Sequence, residues 1–396
     1  MSLRSLPTKG SLRGKRVLVR VDWNVPIVGL APDESLKIER TLPTLHALAK
    51  RGAVVIVLTH LGRPTQREKR YSTKRLAQVI EKRYGTLIQF HDQSVSREQE
   101  RRTLLDALAT APIGSMHLLE NVRFESGEET NDLRLAKAYA SLGQMFVNEA
   151  FASCHRAHAS VVGIAKRLPS YAGPSLVSEV MHAERLTHTP KRPFVTVIGG
   201  AKLSTKMPVL VALLASCDEI LIGGAMATTL FAAKKRKIGK SLFEKSAMAS
   251  ARKLVTQKKI ILPIDVTVTE HLSAQPTLRY AAAENIGARD IVIDVGPKTA
   301  RDWGARLKRA KTILWNGPVG IVEIHAAGFG SRFLARTIAN QARRGSFTAV
   351  GGGDTLPIIV ETNTLDRFDF VSTGGGALLE FLANKGKLPG LAPLRK

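Results

Sequence analysis

Only two cysteines, Cys154 and Cys217, occur in 396 residues. A chain of that length with two thiols has no disulfide framework, and a reducing cytoplasm is the compartment expected of it. Aromatic residues are scarce, at 5% of the chain, which leaves little material for stacking platforms under nucleic-acid bases. The longest apolar runs, such as AVVIVL at 53–58, are the size of strands and far too short to span a membrane. The opening segment, MSLRSLPTKGSLRGKR, holds no acid and no apolar stretch of the kind a secretory signal needs, so a short solvated arm is expected there. Acids are in short supply throughout: 33 Asp+Glu face 59 Lys+Arg, a formal net charge of +26. That balance suits nucleic acid, a membrane surface or small anionic substrates. No zinc-finger spacing or RNA-binding aromatic signature accompanies it, and the densest basic run, KKRK at 234–237, reads as a solvated face. Neither GxxxxGK[ST] nor GxGxxG occurs, which excludes a Walker phosphate loop and the dinucleotide fingerprint.

What the chain does have is a regular alternation. Strand-like runs RVLVRV (16–21), AVVIVL (53–58), MHLLE (116–120) and MFVNE (145–149) are separated by helical patterns that include 43–50, 74–84 and 131–142. The second half repeats the habit with FVTVI (194–198), EILIG (219–223), KIILPI (259–264), TILW (312–315), FTAVG (347–351) and FVST (370–373). Continuous apolar strands between helices imply parallel sheets covered on both faces. The length favours more than one domain, so the fold class expected is α/β, with two doubly wound, Rossmann-like parallel-sheet domains facing a cleft. In such sheets ligands bind beyond the carboxyl ends of the strands.

Those ends differ between the halves. In the second half, FVTVIGGAKLSTK, EILIGGAMATT, TILWNGPVG, FTAVGGGDT and FVSTGGGALLE each run from a strand through glycines toward a helix. Glycine admits phosphate close to backbone N–H groups, and a following helix N-terminus adds donors and a favourable dipole. Asp354, in GGGDT, is an acid well placed for Mg²⁺, and a helix N-cap is the plainer role for it. In the first half the ends read VDWN (21–24), THLGR (59–63), ENVR (120–123) and HRAH (155–158). Arg63, Arg123 and Arg156, joined by His60, His155 and His158, are expected to gather at one sheet edge as a cradle for a small phosphate or carboxylate. A nucleotide-phosphate site in one half and a smaller anion site in the other is the plan of a two-domain phosphotransferase.

With these segments assembled, the chain closely resembles phosphoglycerate kinases. The resemblance runs through VRVDWNVP (19–26), THLGRP (59–64), LLENVRF (118–124), VNEAF…HRAHAS, RPFVTVIGGAK (192–202), IGGAMA (222–227), LPIDV (262–266), DVGPKT (294–299), KTILWNGPVGIVE (311–323), AVGGGDT (349–355), VSTGGGALLE (371–380) and KLPG (387–390), in family order. It implies reversible phosphoryl transfer between 1,3-bisphosphoglycerate with ADP and 3-phosphoglycerate with ATP, in glycolysis and gluconeogenesis, by a cytoplasmic monomer using Mg²⁺. It further implies a triose-phosphate-binding domain over 1–170, an interdomain helix over 171–190, a nucleotide-binding domain over 191–375 and a segment over 376–396 that packs back on the first domain. By the same resemblance, Asp22, Asn24, His60, Arg63, Arg123 and Arg156 bind the triose, and Lys202, Gly374 and Gly375 stabilise the transferring group. Gly200, Lys206, Gly223, Gly224, Asn316, Pro318, Glu323, Gly351, Gly352, Gly353 and Thr355 serve the nucleotide, and Asp354 holds the metal. The loop holding His155 and His158 is then a wall for an anion rather than a metal site, Arg156 its direct contact, and Cys154 a small packed residue.

Two departures stand out. The family pattern R-I-x-A-x-L-P becomes KIERTLP at 37–43, so Lys37 stands where the resemblance places a catalytic and substrate-binding arginine, with Arg40 nearly a helical turn away. GGAKLSTK carries Thr205 where the family usually has aspartate. Ala225 and Thr228 replace a usual glycine and aromatic, AFASCH replaces AFGTAH, and AGPSLVSE at 172–179 is unusual between the domains. These residues leave room for an alternative: a weakly active or inactive paralogue that binds nucleotide or polyanion.

Overall fold

The computed structural model describes residues 2–7, 9–26, 29 and 32–396. The chain divides into two compact units. The first comprises the residues up to Met181 together with Lys387–Lys396, and the second His182–Gly386.

The first unit is built on strands β1 (Arg16–Arg20), β2 (Val54–Leu58), β3 (Gln89–His91), β4 (Met116–Leu119), β5 (Met145–Asn148) and β6 (Ser170–Ala172). They form one parallel sheet in the order β3-β4-β2-β1-β5-β6. Every residue of β2 is buried, as strands covered by helices on both faces require. The helix Lys74–Tyr84 stops at Gly85, which takes the left-handed conformation that glycine tolerates best. The helix Leu133–Ser141 starts where the Asp132 carboxylate accepts the Leu135 N–H, at 2.8 Å.

The second unit holds β7 (Phe194–Ile198), β8 (Glu219–Ile222) and β9 (Ile260–Ile261), then β10 (Asp265–Thr269), β11 (Arg279–Ala282) and β12 (Ile291–Val295), and finally β13 (Thr312–Asn316), β14 (Phe347–Gly351) and β15 (Phe370–Ser372). Six of these make a second parallel sheet, β15-β14-β13-β7-β8-β9. The alternation of strand and helix therefore yields the two parallel α/β sheets it implied. It did not imply the antiparallel sheet β11-β10-β12, nor did KIILPI become a full strand, since only Ile260 and Ile261 pair. The helix Gly375–Ala383 packs on the helix Leu203–Ser216 within this unit.

The scarce aromatics are spent on the cores. Trp23, Trp303 and Trp315 are all fully buried. Trp23 donates its indole N–H to Thr41 Oγ1 at 2.8 Å, and Trp315 to the Gly317 carbonyl at 2.9 Å. Among the described residues no helix is long and apolar enough to cross a membrane.

Candidate functional site

In the first unit β4, β2, β1 and β5 are neighbours and parallel, so the segments that follow them leave from one edge. They carry Arg123, His60 with Arg63, Asp22 with Asn24, and Arg156. Lys37 reaches this edge from the last turn of the helix Pro32–Glu39. Its Nζ lies 3.4 Å from Asp22 Oδ2 and donates to the Asn24 carbonyl at 3.0 Å. The Asn24 side-chain oxygen accepts the Gly62 N–H at 2.7 Å and so fixes the loop after β2.

The charges here are unevenly distributed. Burial pushes the Asp22 carboxyl up, but Lys37, His60 and Arg20 outweigh it and hold the group below its ordinary value. Burial drives His60 down to about 3, helped by Arg20, Arg123 and Lys37 against the opposing Asp22. His158 falls to about 4 by burial and by neighbouring arginines. Both rings are therefore neutral at pH 7, and the positive character of the edge rests on guanidinium and ammonium groups, not on the mixed Arg and His cluster the motifs suggested.

Arg123 has a nearly buried side chain, with Nη2 3.2 Å from Glu129 and Nη1 donating to the Gly62 carbonyl. Burial lowers its pKa against the opposing Glu129, and Arg156, Arg20 and Arg63 lower it further, which places those cations within electrostatic reach of Arg123. Arg63 is exposed and Arg156 half-buried, and Arg156 Nε donates to His155 Nε2 at 3.1 Å. Among the described residues, Arg123 Nε and Asp22 Oδ1 are buried without a hydrogen-bond partner. Orphaned polar atoms of this kind, where cations outnumber acids, mark a place for an anionic, hydrogen-bonding ligand.

Motif reading assigned no role to Arg20. It ends β1, only 1% exposed, and donates to Ser160 Oγ at 3.0 Å and to His60 Nδ1 at 3.2 Å. The buried Glu128 accepts from the Ser160 hydroxyl and N–H and stands 3.7 Å from His158 Nδ1. His158 is thus part of an internal Arg20–Ser160–Glu128 network that positions His60. An arginine closing the apolar run VLV was the signal available in RVLVR. Cys154 is fully buried, its thiol pushed up to about 12 by burial, and it touches Asn148 and the Ala150 carbonyl. It packs.

In the second unit β15, β14, β13, β7 and β8 are contiguous, and the glycine loops after them interlock backbone to backbone. A Cβ on Gly199 would fall 1.9 Å from the Pro318 carbonyl oxygen, and one on Gly375 would fall 2.4 Å from Gly352 Cα. Gly224 donates to the Val319 carbonyl at 2.9 Å, and Met226 donates to Gly200 at 3.2 Å. Gly200, Gly224 and Gly352 also take positive φ, at 124°, 66° and 106°. Gly223 and Gly374 precede the helices Gly224–Ala233 and Gly375–Ala383, and Lys202 precedes Leu203–Ser216. Three helix N-termini thus open from these loops, the arrangement that binds phosphate.

Side chains tie the loops together. Lys206 Nζ donates to Asn316 Oδ1, Asn316 Nδ2 donates to the Gly351 carbonyl at 2.8 Å, and Thr355 Oγ1 accepts the Gly317 N–H at 2.8 Å. Burial lowers the Lys206 pKa, and Asp354 opposes the shift. A cavity of about 430 Å³ is lined by Gly200, Gly224, Pro318, Glu323 and Asp354 along with apolar Val319 and Leu242. Lys202, Lys206, Asn316, Gly351–Gly353, Thr355 and the glycines at 374 and 375 lie outside that lining. Asp294 also lines the cavity and was missed by motif reading. Burial pushes its carboxyl up to about 7, and it accepts N–H groups from Gly330 at 2.7 Å and Val295 at 2.8 Å.

Comparison with known proteins places this geometry. A family model described as "Phosphoglycerate kinase" matches residues 8–385. A phosphoglycerate kinase of Thermus thermophilus is 43% identical over 387 residues, covering 96% of this chain and 97% of the relative. One from Rhizorhabdus wittichii is 38% identical over 401 residues, covering both chains in full. The solved phosphoglycerate kinase of Coxiella burnetii superposes with a TM-score of 0.83 at 35% identity, covering 99% of this chain and 98% of that one.

Proposed function

The chain belongs to the phosphoglycerate kinase family, and from that premise we propose that it catalyses reversible, Mg-dependent phosphoryl transfer between ATP and the carboxyl group of 3-phosphoglycerate. The observation that carries this reading is the cationic edge of the first sheet, where Lys37, His60 and Arg20 surround an Asp22 carboxylate whose Oδ1 is orphaned among the described residues. Arg63, Arg123 and Arg156 bind the triose phosphate, Asp22 accepts from a triose hydroxyl, and Asn24 and His60 complete the contact. The interlocked glycine loops and the cavity beside them take the nucleotide, with Glu323 at the ribose.

The acceptor in the ATP-consuming direction is a carboxylate, already ionised at neutral pH, so transfer needs no general base. Catalysis is then a matter of positioning and of neutralising charge on the transferring group. Lys202, Lys37 and the backbone N–H groups at Gly374 and Gly375 supply that neutralisation, and Lys206 stands at the nucleotide phosphates. Among the described residues no group of three His, Cys, Asp or Glu side chains stands close enough to cage a metal. Asp354, which lines the cavity with Asp294 and Glu323, suits Mg²⁺, which binds through one or two carboxylates together with substrate phosphates. When present, the ion supplies charge neutralisation on those phosphates. A monomeric enzyme of glycolysis in the cytoplasm completes the reading. A coupled assay tests it: turnover is expected with 3-phosphoglycerate and Mg-ATP and is lost on chelation, and absence of turnover in purified, folded protein refutes it.

A further inference from the structure

Far along the sequence from the motifs, two helices of the second unit, Pro297–Arg309 and Phe329–Ala342, lie against each other. Between them runs a groove of about 440 Å³ lined by Lys308, Phe329, Phe333, Arg336, Asn340 and Arg344 among others, with no acid in its lining. The segments 297–311 and 329–344 contain six and four Lys or Arg residues, and a single acid, Asp302. Asp302 is already paired with Arg306 at 2.9 Å. Lys308, Arg336 and Arg344 are exposed, and among the described residues none of the three has an ion-pair partner within 4.0 Å. The chain keeps its few large aromatics mostly inside, yet Phe329 is 48% exposed here. Its ring centroid lies 6.2 Å from that of Phe333, tilted by 32°. Gly304 makes room for this ring: a Cβ there would come within 3.0 Å of Phe333.

We propose that this groove binds single-stranded nucleic acid. Phosphates meet Lys308, Arg336 and Arg344, a base stacks on Phe329, and the Asn340 amide reaches a base edge. A positively charged track interleaved with aromatic faces is the physical form of a sequence-tolerant single-strand site. A duplex keeps its bases stacked inside and gives the Phe329 ring nothing to meet, and an acidic peptide leaves the paired rings unused. The scarcity of aromatics in the chain as a whole argued against such platforms, but two neighbouring rings on one helix, with Arg336 three residues beyond Phe333, suffice for one.

The test is fluorescence anisotropy of a labelled twelve-nucleotide oligouridylate titrated with the whole protein, with 3-phosphoglycerate and Mg-ATP saturating so that the nucleotide cavity is occupied. Three phosphate contacts give a slope of log K against log salt of about −2. The double variant Lys308→Glu, Arg336→Glu is expected to weaken binding at least about tenfold and flatten that slope. Phe329→Ala, at an exposed position in the first turn of its helix, is expected to weaken binding about fivefold to tenfold with the slope unchanged. It should bind an abasic strand as wild type does, and kinase turnover should be unaltered in all variants. Alanines at Lys234 and Lys235, in the basic run elsewhere on the unit, should leave binding intact. The proposal is overturned if the groove variants bind as wild type does, if abasic and intact strands bind equally well to wild type, or if a glutamate-rich peptide displaces the oligonucleotide at equal concentration.

Discussion

At Lys37 an ammonium group meets Asp22 at 3.4 Å and a backbone carbonyl at 3.0 Å. It delivers charge to the cationic edge of the first sheet but lacks the planar fork that grips a carboxylate through two parallel donors. Lys37→Arg is therefore expected to raise kcat by about threefold to tenfold, and an unchanged or lower kcat in the coupled assay contradicts this account of the residue. Glu149 offers a second prediction. Buried and accepting from Thr44 and from the Leu176 N–H, its carboxyl is pushed by burial from an ordinary 4.5 to about 7. The folded state therefore holds a proton between these values that the unfolded state has lost. Stability from this group grows as pH falls from 7 toward 4.5, and above pH 7 the buried charge is a cost. Glu149→Gln should raise the unfolding free energy at pH 8 by up to about 3 kcal/mol and leave it nearly unchanged near pH 5, as read by urea denaturation at the two pH values. At this scale the sequence was legible where a motif surrounds a residue, as for Asp22 and Lys37. It was not where function depends on burial: the neutrality of His60 and the support from Arg20 come from neighbours on β2 and in the Ala159–Gly163 turn, which no spacing along the chain reveals.

The elements of the second sheet explain why its loops are glycine-rich. Gly199 and Gly317 approach so closely that a Cβ on either would strike the other's loop, whereas a Cβ on Gly353 would meet nothing within 4 Å. Gly199→Ala should thus cost roughly 3 kcal/mol or more of stability, while Gly353→Ala should stay within about 1 kcal/mol of wild type. Equal melting temperatures for the two variants would remove the interlocking-loop explanation. Long, fully buried strands such as β7 and β14 could be read from continuous apolar runs to the residue. The sheet β11-β10-β12 could not, because β11 is RYAA, mostly exposed, and its partners are joined by connections that carry no hairpin signal. β9 was overread because only two residues of an apolar run find a neighbour to pair with.

For the whole molecule, the division into two α/β units followed from strand and helix alternation, and the net charge of +26 was plain in the composition. What composition could not reveal is where that charge lies: a share surrounds Asp22, and another lines a groove on the second unit. A surplus this large repels itself, so the melting temperature should rise by a few degrees as NaCl is raised from about 20 to about 200 mM. A flat or falling profile would mean that the cations are neutralised locally. The central claim concerns chemistry: a carboxylate is the phosphoryl acceptor. An acyl phosphate reacts with hydroxylamine to give a hydroxamate, so the most direct measurement is hydroxamate formed from 3-phosphoglycerate, Mg-ATP and hydroxylamine, followed together with ADP. The account predicts hydroxamate and ADP in equal amounts, both dependent on 3-phosphoglycerate and both lost in Lys202→Met. ADP without hydroxamate, or neither product from folded protein that still binds nucleotide, would contradict it.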